Sequence, residues 1–371
     1  MRNDVQMNAK LNAEYVIKGR VERILEDVRS GYIHMDDLMS LISRPIALFS
    51  IADILREQEC GDTVTYVINR NINFTNICVG NCKFCAFRRN KDSNDAYLLH
   101  IDDILDKVED AVEKNATEIC IQGGLHPDLS IEFYSEMLER IKSSFDVHIH
   151  AFSPMEILHI SRNSGMNVED VLRELKASGL DSMPGTAAEI LNDSLRAVIC
   201  PKKMKTDEWI RIIKTAHRLN IPTTATMMYG HIEHIYDRIE HILRIREIQR
   251  DTRKFTEFVP LKFMRGNNEL GKIVKKNVSM FEDAVVHSLA RVILHPYIKN
   301  IQASWVKLTP EGARNMLFYG ANDLGGTLME ENISRLAGAS SGEYMPPEHI
   351  ENLIKSAGRK PRRRNTLYEL L

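Results

Sequence analysis

Residues Thr63–Cys85 read TVTYVINRNINFTNICVGNCKFC: a β-branched run that leads straight into three cysteines. Thr63–Ile68 (TVTYVI) has the composition of a strand and continues toward Asn73. Cys78, Cys82 and Cys85 follow at C-x3-C-x2-C spacing, three thiols within eight residues. A strand that ends in a ligand-bearing loop is a unit that an α/β fold repeats, so the rest of the chain is read for copies of it.

Downstream, short apolar runs alternate with amphipathic helices. Ile101–Glu113 places Ile101, Ile104, Leu105, Val108 and Val112 on one helical face. Glu118–Gln122 (EICIQ) is a buried strand, Ile131–Ser143 a helix and Val147–Phe152 (VHIHAF) the next strand. A helix capped by Asn167 ends at Gly179, and Asp181–Met183 makes a short fourth strand. Thr206–Leu219 and His234–Gln249 are helices around the strand Thr223–Tyr229 (TTATMMY). Phe255–Pro260, Ile301–Trp305 and Leu317–Asp323 complete the strands, with a helix between them that aligns Phe281, Val285, Leu289 and Val292.

About eight strand–helix alternations argue for parallel strands with crossover helices. A closed (β/α)8 TIM-type barrel is the economical solution, and a doubly wound open sheet the second. A barrel needs roughly 250 residues, and the chain has 371. The expected organisation is an N-terminal helical extension over 1–62, a barrel over 63–335 and a C-terminal extension with tail over 336–371. The tail carries Lys360, Arg362, Arg363 and Arg364 and reads as solvated.

Hydrophobic residues make up 43% and charged residues 27%, with a formal net charge of −2. Such a balance steers the chain toward neither nucleic acid nor an anionic membrane. The basic run at 360–364 lacks interleaved aromatics. No window approaches the roughly 20 apolar residues of a membrane span, and the first residues lack a signal-peptide core. The expected location is the cytoplasm, where six cysteines are not a disulfide framework.

Thiolates are soft ligands that suit iron–sulfur clusters and zinc. Three of them grip three corners of a cubane, whereas a cluster held wholly by protein takes four. The missing ligand leaves one iron open to another molecule. A zinc site wants a fourth Cys or His nearby, and the next histidine is the distant His100. In a barrel, loops that follow strands lie on the face where catalysis occurs.

The run Asn71–Arg89 resembles the cluster loop of the radical S-adenosylmethionine (SAM) branch that contains the deazaflavin-forming FO synthase and the menaquinone-pathway futalosine enzymes. The resemblance implies one 4Fe–4S cluster per chain on Cys78, Cys82 and Cys85. It implies SAM chelating the open iron through its amino and carboxylate groups, with backbone near Phe84 along the adenine. Gln122-Gly123-Gly124-Leu125 resembles the superfamily's glycine motif, which receives the methionyl ammonium; Leu125 stands where an acid is usual. Two glycines at a strand end also permit close backbone approach on their own account.

Glu189 and Arg196 are seven residues apart, one helical face if the segment is helical. There they would clamp a zwitterion, Glu189 on ammonium or ribose hydroxyls and Arg196 on carboxylate. Polar groups at strand ends supply further candidates for substrate contact: His150, Ser153, Thr226, Tyr229, Glu257, Asn322 and Asp323. Ordinary barrel filling competes with each, and His148 and His150 read first as hydrogen-bonded core histidines.

HIHAFSPMEI, GLDSMPGTAAEIL, TTATMMYGH and GANDLGGTLMEENISRLAGA resemble the tyrosine-utilising side of FO synthase more than its futalosine relatives. That implies a transferase acting on L-tyrosine and 5-amino-6-(D-ribitylamino)uracil in coenzyme F-420 biosynthesis. In it a SAM-derived radical cleaves the tyrosine Cα–Cβ bond and a 4-hydroxybenzyl group joins the uracil. The implied partners are a low-potential electron donor and the second FO synthase radical SAM subunit. A futalosine enzyme and a non-catalytic iron–sulfur or zinc module remain the alternatives.

Overall fold

The computed structural model describes residues 19–371. Eight strands are named: β1 (Thr63–Val67), β2 (Asn69–Ile72), β3 (Glu118–Ile121), β4 (His148–Ala151), β5 (Thr223–Tyr229), β6 (Phe255–Lys262), β7 (Asp323–Gly326) and β8 (Lys360–Arg363). β1 and β2 are one strand bent at Ile68. All named pairings are parallel: β2 with β3, β3 with β4, β5 with β6, and β1 with β7.

Single bridges close the circle. His150 pairs with Ser182, Met183 with Thr223, Phe258 with Ile301 and Gln302 with Asp323. The segments 182–183 and 301–302 are therefore the fourth and seventh staves of an eight-stranded parallel barrel. Closure rules out the open sheet. β5 shows why the strand composition was readable: all seven of its residues are buried, lumen on one side and helices on the other.

The helices form the outer layer. Ile131–Ser144, Thr206–Arg218 and Ile235–Thr252 follow their strands as expected, and Val168–Ala177 is capped by Asn167, which accepts the Asp170 amide at 3.0 Å. At the N-terminus, Met35–Ile42 and Pro45–Cys60 pack outside the barrel, with Pro45 at the first position where its missing N–H costs nothing. Pro45–Cys60 covers the helix Met280–Leu294, which is buried without interruption from Asp283 to Leu294. Phe281, expected on that buried face, is 57% exposed because it precedes the covered part. The expected helical reading of 1–18 lies outside the described residues.

Three expectations need correction. Pro154–Ser164 is a helix that had been passed over. Leu317–Asp323 is not the last strand: Pro310–Met316 is helical and the strand begins only at Asp323, running to Gly326. Third, the basic tail is not a free extension, although Lys360 and Arg362 stay exposed. β8 pairs in parallel with β1 over Thr63–Tyr66, on the edge away from β7, so the chain end returns to the foot of the barrel. Arg364 then turns inward and is 3% exposed. Among the described residues no single helix is long and apolar enough to cross a membrane.

Candidate active site

The cysteines lie on the excursion between β2 and the helix Ile101–Glu113, at the C-terminal rim of the barrel. Backbone and side-chain bonds fold this loop before any ligand is considered. Thr75 Oγ1 donates to Tyr97 O at 2.6 Å, Asn76 Nδ2 to Asp95 O at 2.8 Å, and the Cys78 amide to Arg89 O at 3.0 Å. The Val79 amide donates to Leu125 O at 3.0 Å and the Lys83 amide to Ile199 O at 2.9 Å, which pins the loop to its neighbours. All three thiols are free.

Cys78, Cys82 and Cys85 border a cavity of about 150 Å³ that Phe84, Gly124 and Glu156 also line. The glycine pair is required by packing. A Cβ on Gly123 would lie 2.5 Å from the Phe74 ring, and one on Gly124 2.1 Å from Ile77 O. Burial pushes the Cys82 thiol up to about 12 and raises Cys78 as well. Such groups ionise when a metal takes the sulfur and makes coordination the compensating interaction. Among the described residues no three His, Cys, Asp or Glu side chains converge as a single ion demands. A cubane gripped at three corners needs the thiols spread around a cavity, and the loop supplies that.

Glu156 supports the glycines from behind. Its Oε1 accepts the Gly123 amide at 2.9 Å, while Oε2 accepts the Ser153 amide at 2.7 Å and Ser153 Oγ at 2.6 Å. This is a capping box at the start of Pro154–Ser164. Ser153 thus faces the cluster cavity and acts through Glu156, away from the lumen.

The expected Glu189–Arg196 clamp does not form. Only Arg196 lies in the helix Asp193–Ile199; Glu189 precedes it at φ 45°, so the two share no helical face. The Arg196 guanidinium donates to the carbonyls of Ala187, Ala188 and Met204, at 3.2 Å for Ala187 and 2.7 Å for Met204, and thereby fixes the loop. The cation beside Glu189 is Lys203, which also lies 5.3 Å from the Phe84 ring centroid. Burial alone would raise the Glu189 carboxyl, but Lys203 holds it below its ordinary value.

A second cavity, of about 270 Å³, occupies the barrel lumen and lies next to the first, with Ile333 lining both. Three sequence-level candidates line it: His150, Thr226 and Glu257. Burial lowers His150 to about 4, so the imidazole is neutral near pH 7, with Nδ1 2.7 Å from Ser182 Oγ. Thr226 Oγ1 donates to Gly185 O at 3.0 Å. Gln122 reaches the lumen too and donates to Thr186 Oγ1 at 2.8 Å.

Three other candidates lie elsewhere. Tyr229 sits one step out of phase with Thr226, so it points outward, and its hydroxyl donates to Asp283 at 2.6 Å behind the wall. Asn322 accepts from Arg291 at 2.7 Å and from the Ile301 amide at 2.9 Å, outside the lumen. Asp323 closes the floor. It accepts Arg364 Nε at 2.6 Å, Arg364 Nη2 at 3.1 Å and Thr65 Oγ1 at 2.5 Å. Arg364 itself lines the lumen from below, 3.9 Å from Glu257, and Tyr368 donates to Glu257 at 2.5 Å. Burial raises Glu257 to about 7 against the opposing pull of Arg364.

The sequence reading passed over Glu118, Glu156, Lys203, Lys307, Glu331 and Arg364. An acid opening the apolar run EICIQ and the Ser153-x-x-Glu156 box were visible signals; for the others the neighbours that make them functional are remote in sequence.

A closed parallel barrel with an open three-thiol loop on its C-terminal rim has the architecture of a radical SAM enzyme. The model of the radical SAM superfamily matches residues 72–245, and that of the CofH/MqnC C-terminal region matches 252–371. The fold resembles methylornithine synthase PylB (TM-score 0.71, 16% identity, 91% of this chain and 97% of that one). It also resembles the hydrogenase maturase HydG of Carboxydothermus hydrogenoformans (TM-score 0.72, 15% identity, 98% and 84%). The chain is 58% identical to the 5-amino-6-(D-ribitylamino)uracil–L-tyrosine 4-hydroxyphenyl transferase of Archaeoglobus fulgidus, over 90% of this chain and 96% of that protein. Its counterpart in Methanocaldococcus jannaschii is 53% identical over 87% and 92%. The chain belongs to this transferase family of radical SAM enzymes.

Proposed function

We propose that the protein cleaves the Cα–Cβ bond of L-tyrosine and transfers the 4-hydroxybenzyl group to 5-amino-6-(D-ribitylamino)uracil. The observation that carries this reading is that the three-thiol cavity lies beside a lumen lined along its length by hydrogen-bonding side chains, with Ile333 common to both. A polyhydroxylated ribityl chain and a uracil need such a lining, because each buried polar group of a ligand must find a partner.

Bound together, the cluster and SAM supply a primary carbon radical after one-electron reduction by a low-potential donor. Cys78, Cys82 and Cys85 would hold the cluster. Gly123 and Gly124 would let backbone approach the methionyl group, Phe84 would lie along the adenine, and Glu189 with Lys203 would meet polar groups of the same ligand. Arg196 is a positioning residue that holds the loop carrying Glu189. In the lumen His150, Thr226 and Glu257 orient the uracil. The floor made by Arg364, Asp323 and Tyr368 keeps water from the reacting carbon. A second radical SAM subunit then closes the deazaflavin ring, and the thiol chemistry suits a reducing cytoplasm.

The test is anaerobic reconstitution followed by reductant, SAM, tyrosine and the diaminouracil. Benzylated uracil is the expected product. Formation of 5′-deoxyadenosine without it refutes the transferase reading, and turnover of a futalosine substrate instead would establish the rival. Cys82→Ala should abolish iron–sulfur absorbance, while Cys120→Ala, which alters only the lumen wall, should keep it.

A further inference from the structure

Where the lumen opens toward the cluster loop, two charged side chains line it without pairing to each other. Lys307 stands on the short helix Trp305–Leu308, which follows the 301–302 stave. Among the described residues no side-chain hydrogen bond or ion pair engages its ammonium, and the charged groups that act on it at longer range are Glu331, Cys85 and Glu189. Lys307 is half-buried and shares the cavity with Glu331; burial lowers its pKa from the ordinary lysine value, while Glu331 and the cluster loop oppose that. Glu331 is 8% exposed and accepts only the Ser334 amide, at 3.0 and 3.2 Å for its two oxygens.

Several charged groups nearby are ion-paired, and Glu118 in the same lumen accepts the Asn69 side-chain amide at 2.8 Å. Lys203 pairs with Glu189, Arg364 with Asp323, and Arg70 and Lys107 with Glu330, the residue next to Glu331. A half-buried cation and a buried carboxylate that share one cavity without pairing are costly unless a ligand completes them. An α-amino acid zwitterion has the complementary pattern: a carboxylate for an ammonium and an ammonium for a carboxylate.

We propose that Lys307 and Glu331 form the amino-acid subsite, Lys307 binding the carboxylate and Glu331 the ammonium of the tyrosine substrate. This rests on the transferase reading. The position agrees with the chemistry, since the head group from which hydrogen is taken must lie at the cluster end. The phenol ring then points down the lumen toward the uracil.

The test uses the cluster-loaded enzyme with SAM but no reductant, so that binding is read without turnover. Equilibrium dialysis compares L-tyrosine, tyramine (no carboxylate) and 3-(4-hydroxyphenyl)propanoate (no ammonium). Lys307→Met should weaken tyrosine binding roughly 10- to 100-fold, the loss of one charged hydrogen bond, and leave tyramine within about twofold. Glu331→Gln should weaken tyrosine similarly and spare the propanoate. Retained binding of the truncated ligand shows that each variant is folded.

Equal losses for all three ligands, or no loss for tyrosine, overturn the assignment while the transferase reading stands. Wild-type enzyme that binds no tyrosine sinks that reading as well.

Discussion

The floor of the barrel offers the sharpest perturbation, Arg364→Met. The guanidinium is 3% exposed and Asp323 0%, and the two are joined by bonds of 2.6 and 3.1 Å. Removing one partner of a buried pair strands the other charge, at a cost of about 3–5 kcal/mol. Thr65 Oγ1 and the Gly325 amide still reach Asp323, at 2.5 and 2.6 Å, which favours the lower end of that range. Unfolding entropy of about 2.1 cal/mol/K per residue over 371 residues converts this to a Tm lowered by roughly 4–6 °C if the barrel melts as one unit.

Anaerobic calorimetry of Arg364→Met, Asp323→Asn and the double variant measures it. The double should lose clearly less than the sum of the singles, because removing both charges leaves neither stranded. A melting point for Arg364→Met within about 1 °C of wild type, or strict additivity in the double, would refute the view that the chain end is an ion-paired floor.

Two further outcomes follow from the same geometry. Gly124→Ala should fall well below four irons per chain by iron and sulfide analysis, since its Cβ would lie 2.1 Å from Ile77 O and 3.0 Å from Cys78 Cβ; a full cluster with normal SAM binding would contradict the packing account. Glu257 is raised from its ordinary 4.5 to about 7 by burial, so its stabilising protonated form is fully present below pH 4.5 and lost as pH rises through about 7. The Tm of Glu257→Gln should therefore fall less than that of wild type between pH 5 and 8, and parallel curves would show that this carboxyl does not titrate there.

How much of this was legible in the sequence varied with the range of the interactions involved. Parallel strands buried on both faces read as apolar runs, so Glu118–Ile121 and Thr223–Tyr229 were found nearly to the residue. The cluster loop was legible because three cysteines at fixed spacing carry their chemistry locally. Alternation along β5 already put Tyr229 opposite to Thr226, and only its polarity at a strand end recommended it. The helix Pro154–Ser164 had a local signature, Ser153 with Glu156 and Pro154 between them, whose polar residues were instead taken as a strand end.

The failures share one cause. Whether a charge is solvated or buried depends on partners that local composition does not reveal. Arg364 looks like one of a run of tail cations, and only closure of the barrel brings Asp323 and Glu257 against it. Arg196 looks like a free guanidinium until the loop folds its own carbonyls around it. Lys307 and Glu331 show the converse: the fold brings both to one cavity and leaves each without an ionic partner. An ammonium and a carboxylate that line one cavity without pairing match the head group of a zwitterion, and their signs give that ligand's orientation.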